Sequence, residues 1–154
     1  KIVNKYFKKN FILLFPFCSP KLLHKKWPHF NELIKIIRFK HDNFEIAVAP
    51  GPDEIEEAKK IETSSILNNY KPLNMMELAG LIIKAKYIIA NDTGPAHMAA
   101  HLGQTGTVLF GYHTTAKKVS IETDKFQAIT VNHLNLLTAE KVYSVIKEKL
   151  ELIN

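Results

Sequence analysis

The sequence predicts an α/β protein: a Rossmann-like parallel β-sheet in a three-layer arrangement, with helices on both faces. Three observations lead there. Apolar runs of four to six residues recur along the chain, and stretches of helical periodicity alternate with them. Strands joined by intervening helices run parallel through right-handed crossovers. Polar residues gather just after the apolar runs, at the carboxyl ends of the strands, where an open parallel sheet holds its ligands.

Phe11–Phe15 reads as the first strand, an unbroken apolar run closed by Pro16, and a polar loop from Cys18 to Lys26 follows. Pro28 opens a helix whose Phe30, Leu33, Ile34 and Ile37 fall on one face by their i, i+3, i+4, i+7 spacing. Phe44–Ala49 is the second strand, ended by Pro50-Gly51-Pro52, and Asp53 is expected to cap a helix carrying Ile55, Ala58 and Ile61. Ser65–Leu67 is a short third strand. Asn74 and Glu77 form a variant capping box, with Leu73 stapled onto Leu78. Their helix, to about Lys84, is apolar enough to be mostly buried. Tyr87–Ala90 is the next strand. Asn91–Gly94 then make a tight turn into a helix with Pro95 at its first position and Gly103 at its stop. Thr107–Phe110 and Phe126–Val131 complete the strands, and Thr138 caps a last helix to about Leu150. We read one domain over residues 1–154, its core spanning about 11–137 and its final helix about 138–150.

Composition narrows the classes. The 154 residues, 46% hydrophobic and 23% charged, suit one globular core of ordinary make-up. Cys18 is the only cysteine, so no internal disulfide exists, in keeping with a reducing compartment. The net charge of +6 is nearly all lysine, Arg38 being the lone arginine. Lysines spread over helices are usually a solvated face; what remains points to phosphate ligands or an acidic membrane surface. Nucleic acid is disfavoured, because base reading relies on arginine and no basic ladder interleaved with aromatics is present. No run of about 18 apolar residues is available for an integral membrane segment. Lysines ahead of Phe11–Phe15 imitate a signal peptide, but Pro16 breaks the run and no small-residue cleavage site follows. The chain starts at Lys1 rather than methionine, so it is compatible with a piece of a longer protein.

The turn Asn91-Asp92-Thr93-Gly94-Pro95-Ala96-His97 is the most informative stretch. A helix that starts at a strand's carboxyl end leaves backbone N–H groups aimed outward, and a diphosphate is the commonest anion to meet them. An acidic side chain beside such a turn suits a ligand with both hydroxyls and phosphates, as in a nucleotide sugar. The other polar clusters on that edge are Ser19, Lys21, His24, Lys25 and Lys26; Gly51-Pro52-Asp53-Glu54; and Gly111-Tyr112-His113-Thr114-Thr115. Each has a plainer explanation. Asp92 and Asp53 are good helix caps, Lys25 and Lys26 suit a solvated surface, His97 suits packing, and Trp27 suits the core at a helix entrance. Their convergence on one edge favours the site. The seven histidines lack metal-ligand spacing, so no metal is expected.

Asp92-Thr93-Gly94-Pro95-x-His97-x-Ala99-Ala100, with Lys25-x-Trp27-Pro28 upstream and Leu109-Phe110-Gly111 downstream, resembles the C-terminal half of glycosyltransferase family 9. That family includes the ADP-heptose:lipopolysaccharide heptosyltransferases, and the resemblance runs from about Phe11 to Leu150. It implies the C-terminal half of a GT-B fold, in which this domain holds the nucleotide-sugar donor and an N-terminal domain, not found in this chain, holds a lipid-linked glycan acceptor. Lys25 would contact the donor diphosphate, with Ser19 close to it. Thr93 and Gly94 would offer backbone N–H groups, with His97 nearby, and Asp92 would bind the sugar hydroxyls. Asp53, or Glu54 in its place, would hold the ribose, while residues around Pro50 and the helix from Asn74 would border adenine. Catalysis would rest on Asp92, Lys25 and His97, without a metal or other cofactor. The chain departs from the family pattern in having Tyr112-His113-Thr114-Thr115 where Pro-Thr-Asp-Pro is common.

The resemblance therefore implies a heptosyltransferase-like enzyme that uses ADP-heptose or a related donor, is inactive without its N-terminal domain, and acts in the cytoplasm or at the inner membrane face. One alternative is a noncatalytic nucleotide-binding remnant. Another, disfavoured, is a GT-B sugar-nucleotide epimerase, which commonly carries carboxylates in the helix where this chain has Ala96, His97, Met98, Ala99 and Ala100. A dinucleotide dehydrogenase is disfavoured because no Gly-x-Gly-x-x-Gly follows a strand.

Overall fold

The computed structural model describes residues 2–18, 25–112 and 121–153. At its centre lie six parallel strands: β1 (Asn10–Phe15), β2 (Phe44–Val48), β3 (Ser64–Ser65), β4 (Tyr87–Asn91), β5 (Gly106–Phe110) and β6 (Phe126–Thr130). Their order across the sheet is β3-β2-β1-β4-β5-β6. The chain travels outward from β1 to β3 and then returns to the other side of β1. Strand order thus reverses between β1 and β4, and a crevice is left beyond their carboxyl ends. Phe15 pairs with Ala90, so Asn91 and Asp92 reach the rim of that crevice.

Helices α1 (Ile2–Tyr6), α2 (Phe30–Lys40), α3 (Ile55–Ala58), α4 (Met75–Lys84), α5 (Gly94–His101) and α6 (Ala139–Leu152) surround the sheet, with a 3-10 turn at Leu134–Leu136. Alternate strand residues feed two cores. Ile12, Leu14, Tyr87 and Ile89 face Leu33, Ile37, Val142 and Ile146 of α2 and α6. Phe11, Leu13, Ile88 and Ala90 face Leu81 and Ile82 of α4 and Ala96 and Ala99 of α5. Burial on both faces is why β1 and β4 read as continuous apolar runs rather than alternating ones.

Most elements fall where the sequence places them, and the exceptions have physical causes. Helix α1 was not expected. It is a single short piece whose Ile2, Val3 and Tyr6 pack against the α4–α5 core, and the Tyr6 hydroxyl donates to the Leu67 carbonyl at 2.9 Å. Helix α4 has the expected capping box, Asn74 and Glu77 exchanging hydrogen bonds of 2.8 and 2.9 Å. It is not mostly buried, however. Only Leu81 and Ile82 are buried, and Met75, Met76 and Ile83 are exposed, because one stripe alone meets the sheet. Helix α3 ends at Ala58, short of Ile61. Pro95 takes the second position of α5, after Gly94. Gly103, at φ +75°, ends that helix in the left-handed conformation glycine tolerates.

Gly106 opens β5 in a tight space. A Cβ there would stand 2.5 Å from the Ile88 carbonyl oxygen and 2.7 Å from the Phe126 ring. Among the described residues, no helix is long and apolar enough to cross a membrane.

Candidate functional site

Helix α5 begins directly at the end of β4, and its first turn is unusual for what it lacks. Thr93 is the N-cap residue, in extended conformation, yet its side chain makes no capping hydrogen bond. Thr93 Oγ1 is buried without a hydrogen-bond partner among the described residues. Pro95 carries no N–H, so the donors of this turn come from its neighbours. Gly94 is exposed, and a Cβ placed on it would meet nothing within 4 Å among the described residues. The helix therefore starts with a positive end and open space before it.

Three side chains meet beside this turn. Asp92 is buried, and Lys25 Nζ lies 3.3 Å from its Oδ2. On the other side, His97 Nε2–H donates to Asp92 Oδ1 at 3.2 Å. The i, i+5 spacing lets the His97 ring reach back from the first turn of α5. Burial pushes the Asp92 carboxyl up, but the His97 hydrogen bond and the Lys25 charge outweigh it and hold the carboxyl below its ordinary range. Asp92 is thus an anion at neutral pH, gripped by a cation on one oxygen and an imidazole on the other. Asp92 acts here as an ion-pair partner and not as the cap of α5; Thr93 occupies the N-cap position without making a side-chain cap.

Lys25 is 9% exposed, although it lies in the connection between β1 and α2 and not in a strand or an α-helix. Trp27, two residues on, explains this. Its backbone N–H donates to Asn91 Oδ1 at 3.1 Å, and its indole Nε1–H donates to the Leu137 carbonyl at 2.7 Å. The ring itself is buried, edge-on to Phe30 at 4.9 Å. Trp27 is a core residue, as expected, and also the anchor of the lysine loop. Lys26 pairs instead with Glu57.

The residues after β2 behave differently. Asp53 does not cap α3: the N-cap position belongs to Glu54, which makes no side-chain cap. Glu54 turns back so that its Oε1 accepts the Gly51 N–H at 2.8 Å, and Asp53 is left exposed on the turn. Burial pushes the Glu54 carboxyl up, and Glu57 and Asp53 add to this against the pull of the Gly51 hydrogen bond. Cys18 is half-buried; burial raises its thiol, with Lys26, Glu57, Glu54 and Lys25 all close enough to act on it. The crevice rim thus brings Lys25, Asp92 and His97 into direct contact, and leaves Asp53 and Glu54 outside that contact. Ser19, Lys21 and His24 lie outside the described residues, as do His113, Thr114 and Thr115.

Sequence reasoning places Asn91 at the head of the turn but gives it no role of its own. It is fully buried, accepts from Trp27, and leaves Nδ2 without a hydrogen-bond partner among the described residues. Its signal was a polar residue closing an otherwise apolar buried strand.

A family model described as glycosyltransferase family 9 (heptosyltransferase) matches residues 2–144. No curated protein matches the chain. Among solved structures, an E. coli heptosyltransferase WaaC with ADP superposes with a TM-score of 0.77 at 23% identity, covering 91% of this chain and 44% of that one. E. coli ADP-heptose lps heptosyltransferase II gives 0.79 at 16% identity, over 98% of this chain and 50% of its own. The S. aureus MnaA–UDP co-structure gives 0.68 at 18%, over 99% and 41%. At such identities the likeness is one of fold, an open parallel sheet of the GT-B kind. The chain spans half or less of the length of each of these proteins.

Proposed function

The chain belongs to glycosyltransferase family 9, and from that premise we propose that it is the donor-binding half of a heptosyltransferase-like enzyme. The donor is ADP-heptose or a related nucleotide sugar, and the acceptor is a lipid-linked glycan of the lipopolysaccharide-core type. One observation carries this reading: Lys25, Asp92 and His97 are in contact at the strand-order reversal, beside a helix start that its own side chains leave uncapped.

The chemistry follows from charge. When a glycosyl donor loses its anomeric C–O bond, negative charge grows on the departing diphosphate. The Lys25 ammonium and the N–H groups at Gly94 and Ala96 are the donors placed to meet it, already oriented before the charge develops. In the unliganded pocket Asp92 balances Lys25. As the diphosphate takes over that ammonium, the Asp92 carboxylate is left to accept from sugar hydroxyls, still oriented by His97. Thr93 offers its backbone N–H and its unpartnered hydroxyl. Asp53, exposed on the β2–α3 turn, is the candidate for the ribose, with Glu54 its alternative, and Ser19 completes the phosphate side. The base that deprotonates the acceptor, and the acceptor pocket, belong to a facing domain. Alone the chain binds donor and transfers no sugar; paired with such a domain it works at the cytoplasmic membrane face.

Calorimetric titration with ADP and ADP-heptose tests this. Micromolar binding of both, weakened ten- to a hundred-fold in Lys25→Ala by loss of about 1.5–3 kcal/mol of charge-assisted hydrogen bonding, is the expected result. Failure of either ligand to bind at millimolar concentration overturns the reading and leaves a noncatalytic remnant of the fold.

A further inference from the structure

We propose that Asn91 is a positioning residue that holds Lys25 at the diphosphate site; this rests on the donor-site reading above. A lysine has a long flexible stem, and its ammonium serves a fixed anion only when the backbone beneath it is fixed. Lys25 lies outside the α-helices and the strands of the sheet, in the connection between β1 and α2. Trp27 supplies the anchorage, and it is held at two points. The indole is tied to the Leu137 carbonyl. The backbone N–H is tied to Asn91 Oδ1 at 3.1 Å. Asn91 in turn ends β4, next in sequence to the Asp92 that receives the Lys25 ammonium. Adjacent residues on one strand end therefore grip the loop twice, Asn91 through the backbone and Asp92 through the lysine itself.

The choice of side chain points the same way. Asn91 is fully buried, and its Nδ2 has no hydrogen-bond partner among the described residues. A buried donor without an acceptor costs stability, so asparagine is not the residue that folding alone would select here. An aspartate accepts the Trp27 N–H with no orphaned donor. It also buries a second carboxylate beside Asp92, which competes with an incoming diphosphate for the same ammonium and repels it. Asparagine provides the acceptor and adds no second negative charge beside Asp92. The wasted amide is the cost of that neutrality.

The test is a double-mutant cycle on the chain, with ADP and adenosine as probes and thermal unfolding as the check on folding. Wild type binds ADP more tightly than adenosine, and the ratio measures the diphosphate contribution. Asn91→Ala is expected to cut that ratio about ten-fold while adenosine binding stays within about two-fold. Asn91→Ala combined with Lys25→Ala is expected to lose no more than Lys25→Ala alone, because the first acts through the second. Additive losses, or equal weakening of ADP and adenosine, overturn the proposal. Asn91→Ser, polar but too short to reach Trp27, is to behave as Asn91→Ala does and serves if the alanine variant does not fold. Unfolding of both makes Asn91 a residue of the fold and also overturns the proposal. A wild-type chain that does not distinguish ADP from adenosine, or a Lys25→Ala variant that binds as wild type does, removes the donor-site reading and this proposal with it. An intact Lys25 effect beside a silent Asn91→Ala removes this proposal alone.

Discussion

Two threonines begin two helices in this molecule, and they spend their hydroxyls differently. Thr138 starts α6, and its Oγ1 accepts the Lys141 N–H at 3.1 Å. Thr93 starts α5 in a similarly extended conformation, and its Oγ1 accepts nothing from the helix. The first satisfies its own helix, as an N-cap does. The second sits where β4 delivers it to the crevice, ahead of Gly94 and Pro95, and leaves the first turn to something else. Residue type is the same in both places. On the donor-site proposal, what separates a structural cap from a ligand site is whether the first-turn donors are already taken.

Gly94→Ala attacks the contrast most strongly. Nothing among the described residues opposes a Cβ there, and alanine favours helix over glycine by up to about 1 kcal/mol. The melting temperature should hold or rise while ADP affinity, read by calorimetry, falls about ten-fold or more. Unchanged ADP binding would mean that the open space before α5 is not where phosphate lies. Thr138→Ala probes the other side. It should cost about 1 kcal/mol in urea unfolding and leave ADP affinity alone; a stability loss of that size from Thr93→Val instead would reverse the comparison.

The smallest effect concerns acid. Asp92 has a folded-state pKa below its ordinary 3.8, so its ionised form stabilises the fold at pH values above 3.8. That contribution is lost as pH falls from 3.8 through the lowered value. Asp92→Asn should flatten this part of the acid unfolding profile, measured by circular dichroism. A profile that keeps its slope would show that the Lys25–Asp92–His97 contacts contribute no ionisation-linked stability.

The α/β class, and all six strands to within a residue or two at each end, were legible because central parallel strands are apolar throughout and helical stripes repeat at fixed spacing. Local hydrogen bonding also reads well from sequence, as the Asn74–Glu77 box and the Thr138 cap illustrate. The Asp92–Thr93–Gly94 turn and His97 were visible for the same reason: strand, turn and helix start are contiguous. What local pattern cannot carry is a choice among partners. The Asp53-Glu54 pair follows cap statistics, yet Glu54 folds back onto Gly51 and Asp53 faces outward. Asn91 and Trp27 are 64 positions apart in the chain, so no window of residues displays their hydrogen bond. Helix α1 is too short for its periodicity to register.

Gly106 has a practical consequence for anyone who redesigns this protein. Because β5 crowds Ile88 of β4 so closely, the strand that presents the crevice residues has a neighbour that admits no side chain at that point. Loops on the rim can be exchanged freely, but the choice at position 106 is confined to a single amino acid. A library randomised there should return almost nothing that folds.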